Sequence, residues 1–262
     1  MGQIYIIPDK ECLDASLELA KKYNCAFEYN DFFMPQMLDN LQKQEEVIEY
    51  YAKRRTDFSK DTMHGAFLDV TVHSLDPRIR EISELRIHQS MDIAKRMGLF
   101  GVVFHTGRIG GFRQELYVKQ WMEQNQRFFR ELAGEYPDIH IYLENMFDEA
   151  PDILAELAKK MKDVQNFGIC LDYAHASLTN CPGKEWIQNL GPYIRHMHLN
   201  DNDLATDLHQ PIGDGRIDWQ MFEQLMKQYA VEASALIEVK GIEAQKKSLE
   251  YMEQFHIFPL DD

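Results

Sequence analysis

Short apolar runs alternate from end to end of this chain with longer stretches whose apolar positions recur at helical spacing. The runs QIYIIP, CAFEY, TMHGAF, GVVFH, IHIYLEN, FGICLDY, IRHMHLN and ALIEVKG have strand length. Between them, DPRIREISELRIHQSMDIAKRMG opens on Asp76-Pro77 and stops at Gly98, the start and stop chemistry of a helix. RQELYVKQWMEQNQRFFRELAG and APDILAELAKKMKD carry the same kind of apolar stripe. Asp218 stands where it would cap the helix after the seventh strand.

Eight strands, each followed by a helical stretch, in a chain of 262 residues predict a single (β/α)8 TIM barrel domain over residues 1–262. A doubly wound open sheet would place a glycine-rich phosphate turn after the first strand, and IIPDKECLDAS has none. The barrel reading has a chemical consequence, because such barrels carry their chemistry at the C-terminal ends of the strands. Glu28, His64, His105, Glu144, Asp172, His198 and Glu238 all fall at or near the last residues of their strands. A purely structural acid or histidine has no reason to prefer that end.

A carboxylate closing a buried apolar strand needs a partner, since isolated buried charge is costly. For Glu144, after IHIYL, the competing partners are a metal ion and a buried Lys or Arg. Asp172 ends FGICL, with His175 three residues on; Glu238 follows ALI, with Lys240 two residues on and therefore on the same face. His196 and His198 also share a face. His198, nearer the rim, is the expected ligand, and His196 the interior residue bonded to a neighbour. Together Glu144, Asp172, His198 and Glu238 supply the oxygen and nitrogen donors that suit Mn, Zn, Mg or Co. His64 and His105 either bind a second metal or hydrogen-bond a substrate. Glu28 either orients a histidine or binds substrate. Asp207 and His209 follow as D-x-H in a loop shaped by Pro211, Gly213 and Gly215. Arg108 and Arg113, in HTGRIGGFRQE, are candidates to grip a substrate phosphate or carboxylate, and Lys240 is a further candidate substrate contact. Phe32–Phe33, in the loop after the second strand, either packs in the core or loop or covers the site.

The formal charge of −15 disfavours a phosphate backbone as partner, because nucleic-acid affinity rests largely on Lys and Arg. The four cysteines show no metal or disulfide spacing and read as reduced thiols. MGQIYIIPDKEC lacks the flanks of a signal peptide, and no apolar run approaches a membrane span. A cytoplasmic protein is expected, with homo-oligomerisation open.

The order His64, His105, Glu144, Asp172-x-x-His175, His198-x-Asn200-Asp201, Asp207-x-His209, Glu238 resembles the xylose isomerase-like TIM barrels over nearly the whole chain. That superfamily holds sugar and sugar-phosphate isomerases and epimerases, and also endonuclease IV. In the first branch the resemblance implies one divalent metal on Glu144, Asp172, His198 and Glu238, with the two glutamates as acid/base pair. In the second it implies three zinc ions held with His64, His105, His175, Asp207 and His209 as well. Two features favour the sugar branch. GAF follows His64 where the endonuclease pattern is more like Ala-Pro-Tyr, and NDFFMPQMLDN and NDNDLATDL carry acids and no arginine. The expectation is a metal-dependent isomerase or epimerase of a small carbohydrate acting through an enediolate. The alternatives are a zinc-dependent abasic-site phosphodiesterase and a non-catalytic metabolite-binding barrel.

Overall fold

Strands of three to six residues close into a parallel barrel in the computed structural model, which describes residues 2–260. They are β1 (Ile4–Ile6), β2 (Ala26–Tyr29), β3 (Thr62–His64), β4 (Gly101–His105), β5 (His140–Glu144), β6 (Phe167–Asp172), β7 (Ile194–Leu199) and β8 (Ser234–Ile237), each bonded to the next and β8 to β1. The helices between them are α1 (Leu13–Tyr23), α2 (Pro35–Leu38), α3 (Leu41–Ala52), α4 (Pro77–Met97), α5 (Glu115–Glu135), α6 (Asp152–Lys160), α7 (Tyr173–Ser177), α8 (Gly183–Leu190), α9 (Trp219–Gln228) and α10 (Ile242–Phe255). The protein is therefore the (β/α)8 barrel that its periodicity predicts.

Local chemistry sets the helix ends as expected. Asp76 accepts a hydrogen bond from Arg78 N at the start of α4, and Gly98 takes the left-handed conformation, φ 70°, at its end. Asp218 accepts from Met221 N at the start of α9. No helix among the described residues is long and apolar enough to cross a membrane.

Strand alternation divides the core in two. Ile4, Ile6, Phe27, Met63, Val102, Phe104, Ile141, Leu143, Ile169, Leu171, Met197, Leu199 and Ile237 join one cluster with the helices. Their neighbours turn into the barrel. Near the N-terminal mouth these are Tyr5, Ala26 and Leu236, beside Val103, Tyr142 and Cys170. Further along the same faces come Glu28, Thr62, His64, Glu144, Asp172, His196 and His198, all buried. The interior thus turns from apolar to ionisable towards the C-terminal rim. Register pairs His105 with Glu144 and Asp172 with His198, so these ligand candidates from adjacent strands lie side by side.

Candidate metal centre

Glu144 stands at the middle of the ionisable cluster. Its Oε2 lies 3.6 Å from His64 Nε2, 3.5 Å from His105 Nε2 and 3.3 Å from His198 Nδ1; its Oε1 lies 3.5 Å from His175 Nδ1. The two ring nitrogens of His64 and His105 are themselves 3.1 Å apart. His64 donates from Nδ1 to Gly65 O, which leaves the Nε2 lone pair facing His105 and Glu144. Phe67 packs on both rings, and Phe33 packs on Phe67 at 5.0 Å, so the second Phe of the pair covers this side while Phe32 is buried in the core.

Asp172, His198 and Glu238 make the second group, with ligand atoms within 4.8 Å of one another. His198 Nδ1 is 3.5 Å from Glu238 Oε2, and its far nitrogen, Nε2, is 3.0 Å from Glu28 Oε1. A carboxylate behind a ligand imidazole fixes the ring and raises its basicity. Asp172 divides its oxygens. Oδ1 accepts from His175 N and starts α7; Oδ2 turns into the cluster. The third group is nearer solvent: His175 Nε2 and His209 Nε2 each lie 3.3 Å from Asp207 Oδ2. His175 donates from Nδ1 to Asn145 O, and His209 from Nδ1 to Glu238 O.

Glu144 Oε2, Asp172 Oδ2 and His198 Nδ1 are buried and find no hydrogen-bond partner among the described residues. Converging carboxylate oxygens and an imidazole nitrogen left unpaired in a buried site are costly unless a cation joins them. The donor set fits a divalent metal ion, and Glu144 joins one group of donors with His64 and His105 and another with Asp172 and His175.

The same crowding moves the protonation equilibria. Burial acts to raise the Glu144 pKa, yet His198 and His105 hold this carboxyl well below its usual range. Burial, reinforced by Glu238 and Glu144, pushes Asp172 up to about 7. Burial opposes charge on His175 and His198, but Asp172, Asp207 and Glu144 around the one, and Cys170, Glu144, Glu238 and Glu28 around the other, raise both well above the ordinary value. His209 is lifted to about 9 against its burial by Asp207 and Glu238, while burial pulls His105 down to about 3. These shifts favour protons on His175, His198 and His209 when no metal is bound, and a cation would have to displace them. Apparent metal affinity should fall as pH drops from 9 to 6, by roughly tenfold per pH unit for each proton displaced. Competition against a chelator of known affinity measures it; a flat profile over that window would refute these protonation states.

Several sequence expectations need correction or completion. Glu28 does not reach the open rim: it is fully enclosed, accepts from Thr62 Oγ1 at 2.7 Å, and lies 3.1 Å from His196 Nε2 and 3.0 Å from His198 Nε2, the placement of a group that orients histidines. His196 is the interior residue, also bonded to Ser234 Oγ at 2.7 Å. Lys240 does not share a strand face with Glu238, because β8 ends at Ile237, Val239 N turns back to Ile237 O, and Gly241 adopts φ 85°. Lys240 is exposed. Arg108 is buried against Asp148, and Arg113 pairs with Asp152 on the surface. Asn145, which links Asp172 to β5 through both its amide atoms, escaped the sequence reading, as did Asp148 and Cys170. Asn145 had one signal, its place beside Glu144 at a strand end; Asp148 lies in a loop without periodicity.

Asp201 builds the loop that carries Asp207 and His209. It is fully buried and accepts from Asn202 N, Gly213 N, Ile217 N and the Trp219 indole. Gly215 passes so close that a Cβ would lie 2.2 Å from Asp201 Oδ1. Replacing Asp201 with Ala strands several buried donors, and urea unfolding should register a loss of about 3 kcal/mol or more. A loss below about 1 kcal/mol would show that the loop stands without it.

A family model described as xylose isomerase-like TIM barrel matches residues 17–255. The chain belongs to this family. An uncharacterized Methanocaldococcus jannaschii protein, MJ1311, is 28% identical over 219 residues, which are 79% of this family member and 74% of that protein. The apurinic-apyrimidinic endonuclease of Caenorhabditis elegans is 26% identical over 218 residues, 74% of this chain and 54% of the nematode protein, so the chain spans about half of that relative's length. Among solved structures, a D-tagatose 3-epimerase-like protein is similar, with a TM-score of 0.74, 26% identity and 97% of each chain covered.

Proposed function

We propose that this barrel is a divalent-metal-dependent isomerase or epimerase of a small polyhydroxylated carbonyl compound. One observation carries the reading: Glu144 Oε2 and Glu238 Oε2, from β5 and the end of β8, lie 3.3 and 3.5 Å from the same His198 ring nitrogen, so two carboxylates flank one position. The adjoining cleft of about 1040 Å³, bounded in part by Phe67, Arg108, Phe147, His175 and Asp207, suits a small molecule better than a duplex. The similarity to the D-tagatose 3-epimerase-like structure agrees with this reading.

Glu144, Asp172, His198 and Glu238 would hold the cation, which polarises the substrate carbonyl when bound. The proton chemistry then falls to the chain's own groups. One of Glu144 and Glu238 takes the proton from the carbon beside the carbonyl, and the other delivers one to the opposite face or the neighbouring carbon. Glu28 keeps the His198 ring in place, and Phe33 and Phe67 limit water on the side of His64 and His105. Mn, Zn, Mg and Co all accept this donor set.

A second reading has its own support. His64, His105, His175, Asp207 and His209 make two further donor groups, enough for additional cations, and a similar nematode protein is an apurinic-apyrimidinic endonuclease. Multinuclear sites of this kind hydrolyse phosphodiesters. Elemental analysis of gently purified protein, together with two assays, separates the readings. Hydrogen exchange from ketoses without nicking of abasic DNA is the expected result; nicking with no exchange from any ketose, aldose or their phosphates overturns the proposal.

A further inference from the structure

Arg108 is a buried cation with most of its donors unpaired among the described residues. Its side chain is fully buried, and only Nε has an acceptor, Asp148 Oδ1 at 2.7 Å. Nη1 and Nη2, with four N–H donors between them, have no partner among the described residues. Asp148 cannot swing across to serve them, because Thr106 Oγ1 holds its other oxygen at 2.6 Å. Two guanidinium nitrogens enclosed without acceptors are costly to keep, and an arginine edge of that shape matches an oxyanion.

Arg108 stands at the wall of a cleft. Arg108 bounds the same cleft as His175 and Asp207 of the metal centre. The loop that carries it holds Gly107 at φ 58° and Gly111 at φ 71°, and a Cβ on Gly110 would lie 2.6 Å from Phe147 O, so this loop packs against the Phe147 backbone as closely as glycine allows. His73, pushed down to about 4 by burial and the Arg108 charge, is neutral and adds no competing cation. Asp69 and Glu149 line the cleft as exposed carboxylates, which solvent screens.

We infer that the Nη edge of Arg108 is an oxyanion subsite, and that the substrate is a polyhydroxylated carbonyl compound bearing a phosphate or carboxylate. This deepens the isomerase reading and rests on it for the reacting end of the substrate. A bidentate contact at this edge would anchor the charged end while the carbonyl end reaches the metal centre.

The test is titration calorimetry of the metal-bound protein with inorganic phosphate and, separately, acetate. Wild type should bind one of them, and Arg108→Gln should weaken it at least tenfold; a tenfold preference between the two tells a phosphoryl from a carboxyl ligand. Because Arg108→Gln leaves Asp148 buried without its partner, the double variant Arg108→Gln/Asp148→Asn is measured beside it and should show the same loss. Anion binding that survives in both variants, or that is absent from wild type, overturns the subsite. An anion held by the metal instead would be lost in Glu144→Gln and kept in Arg108→Gln. Hydrogen exchange on ketoses, aldoses and their phosphates supplies the independent readout. Anion binding that tracks Arg108 without any exchange keeps the subsite and sinks the isomerase reading; exchange with no Arg108-dependent anion binding does the reverse.

Discussion

Glu144→Gln and Glu238→Gln should each reduce turnover by about 10²–10⁴-fold, the range typical of a lost general acid or base. The two losses should differ in kind. If each glutamate serves one face of the substrate, removing one blocks proton abstraction from one epimer and spares exchange from the other. Deuterium wash-in from each side of the reaction measures this directly. Glu144→Gln should also lose metal content, because this carboxylate touches His64, His105, His175 and His198. Its replacement by a neutral amide leaves those rings without their counter-charge. Glu238 is the more accessible of the pair, 13% exposed against 1% for Glu144, and contacts His198 and His209. Glu238→Gln should therefore keep more metal. Exchange at wild-type rate in both variants would remove the acid/base assignment altogether.

Metal removal should have the second large effect, on stability. Unpaired Glu144 Oε2, Asp172 Oδ2 and His198 Nδ1 are buried together, and a cation would find this arrangement in the folded chain alone. At a metal concentration a thousand times its dissociation constant, the linkage contributes about 4 kcal/mol. For a chain of this size that corresponds to a fall in melting temperature on the order of 10 °C after chelation. Calorimetry before and after EDTA, with re-addition of Mn, Zn, Mg or Co, measures the fall and ranks the ions. A melting temperature that does not respond to any of them would sink the metal centre.

Much of this architecture is legible in the sequence because periodicity and chemistry coincide. Period-two alternation places Tyr142 and Glu144, Cys170 and Asp172, and His196 and His198 on interior faces, while strand ends mark the rim. Four chain-distant residues, Glu144, Asp172, His198 and Glu238, converge because parallel strands in one register bring their ends to one level. What escaped depends on loops and on depth. The position of Lys240 turned on where β8 stops, a matter of one backbone bond at Val239 and the conformation of Gly241. Glu28 lies one residue inside its strand end, and that single step moves it from the open rim to the floor beneath His198. Asp148 pairs with Arg108 across 40 residues of sequence, and nothing local announces the partnership.

The double use of Asp172 has a mechanical consequence. With Oδ1 committed to the first turn of α7, the carboxylate has lost its freedom to rotate away, and the helix also carries His175. Two donors are aimed during folding, before any ion arrives, so the entropy of orienting them belongs to the chain's collapse and not to capture of the metal. Ion capture at this corner should be quick and involve little backbone rearrangement.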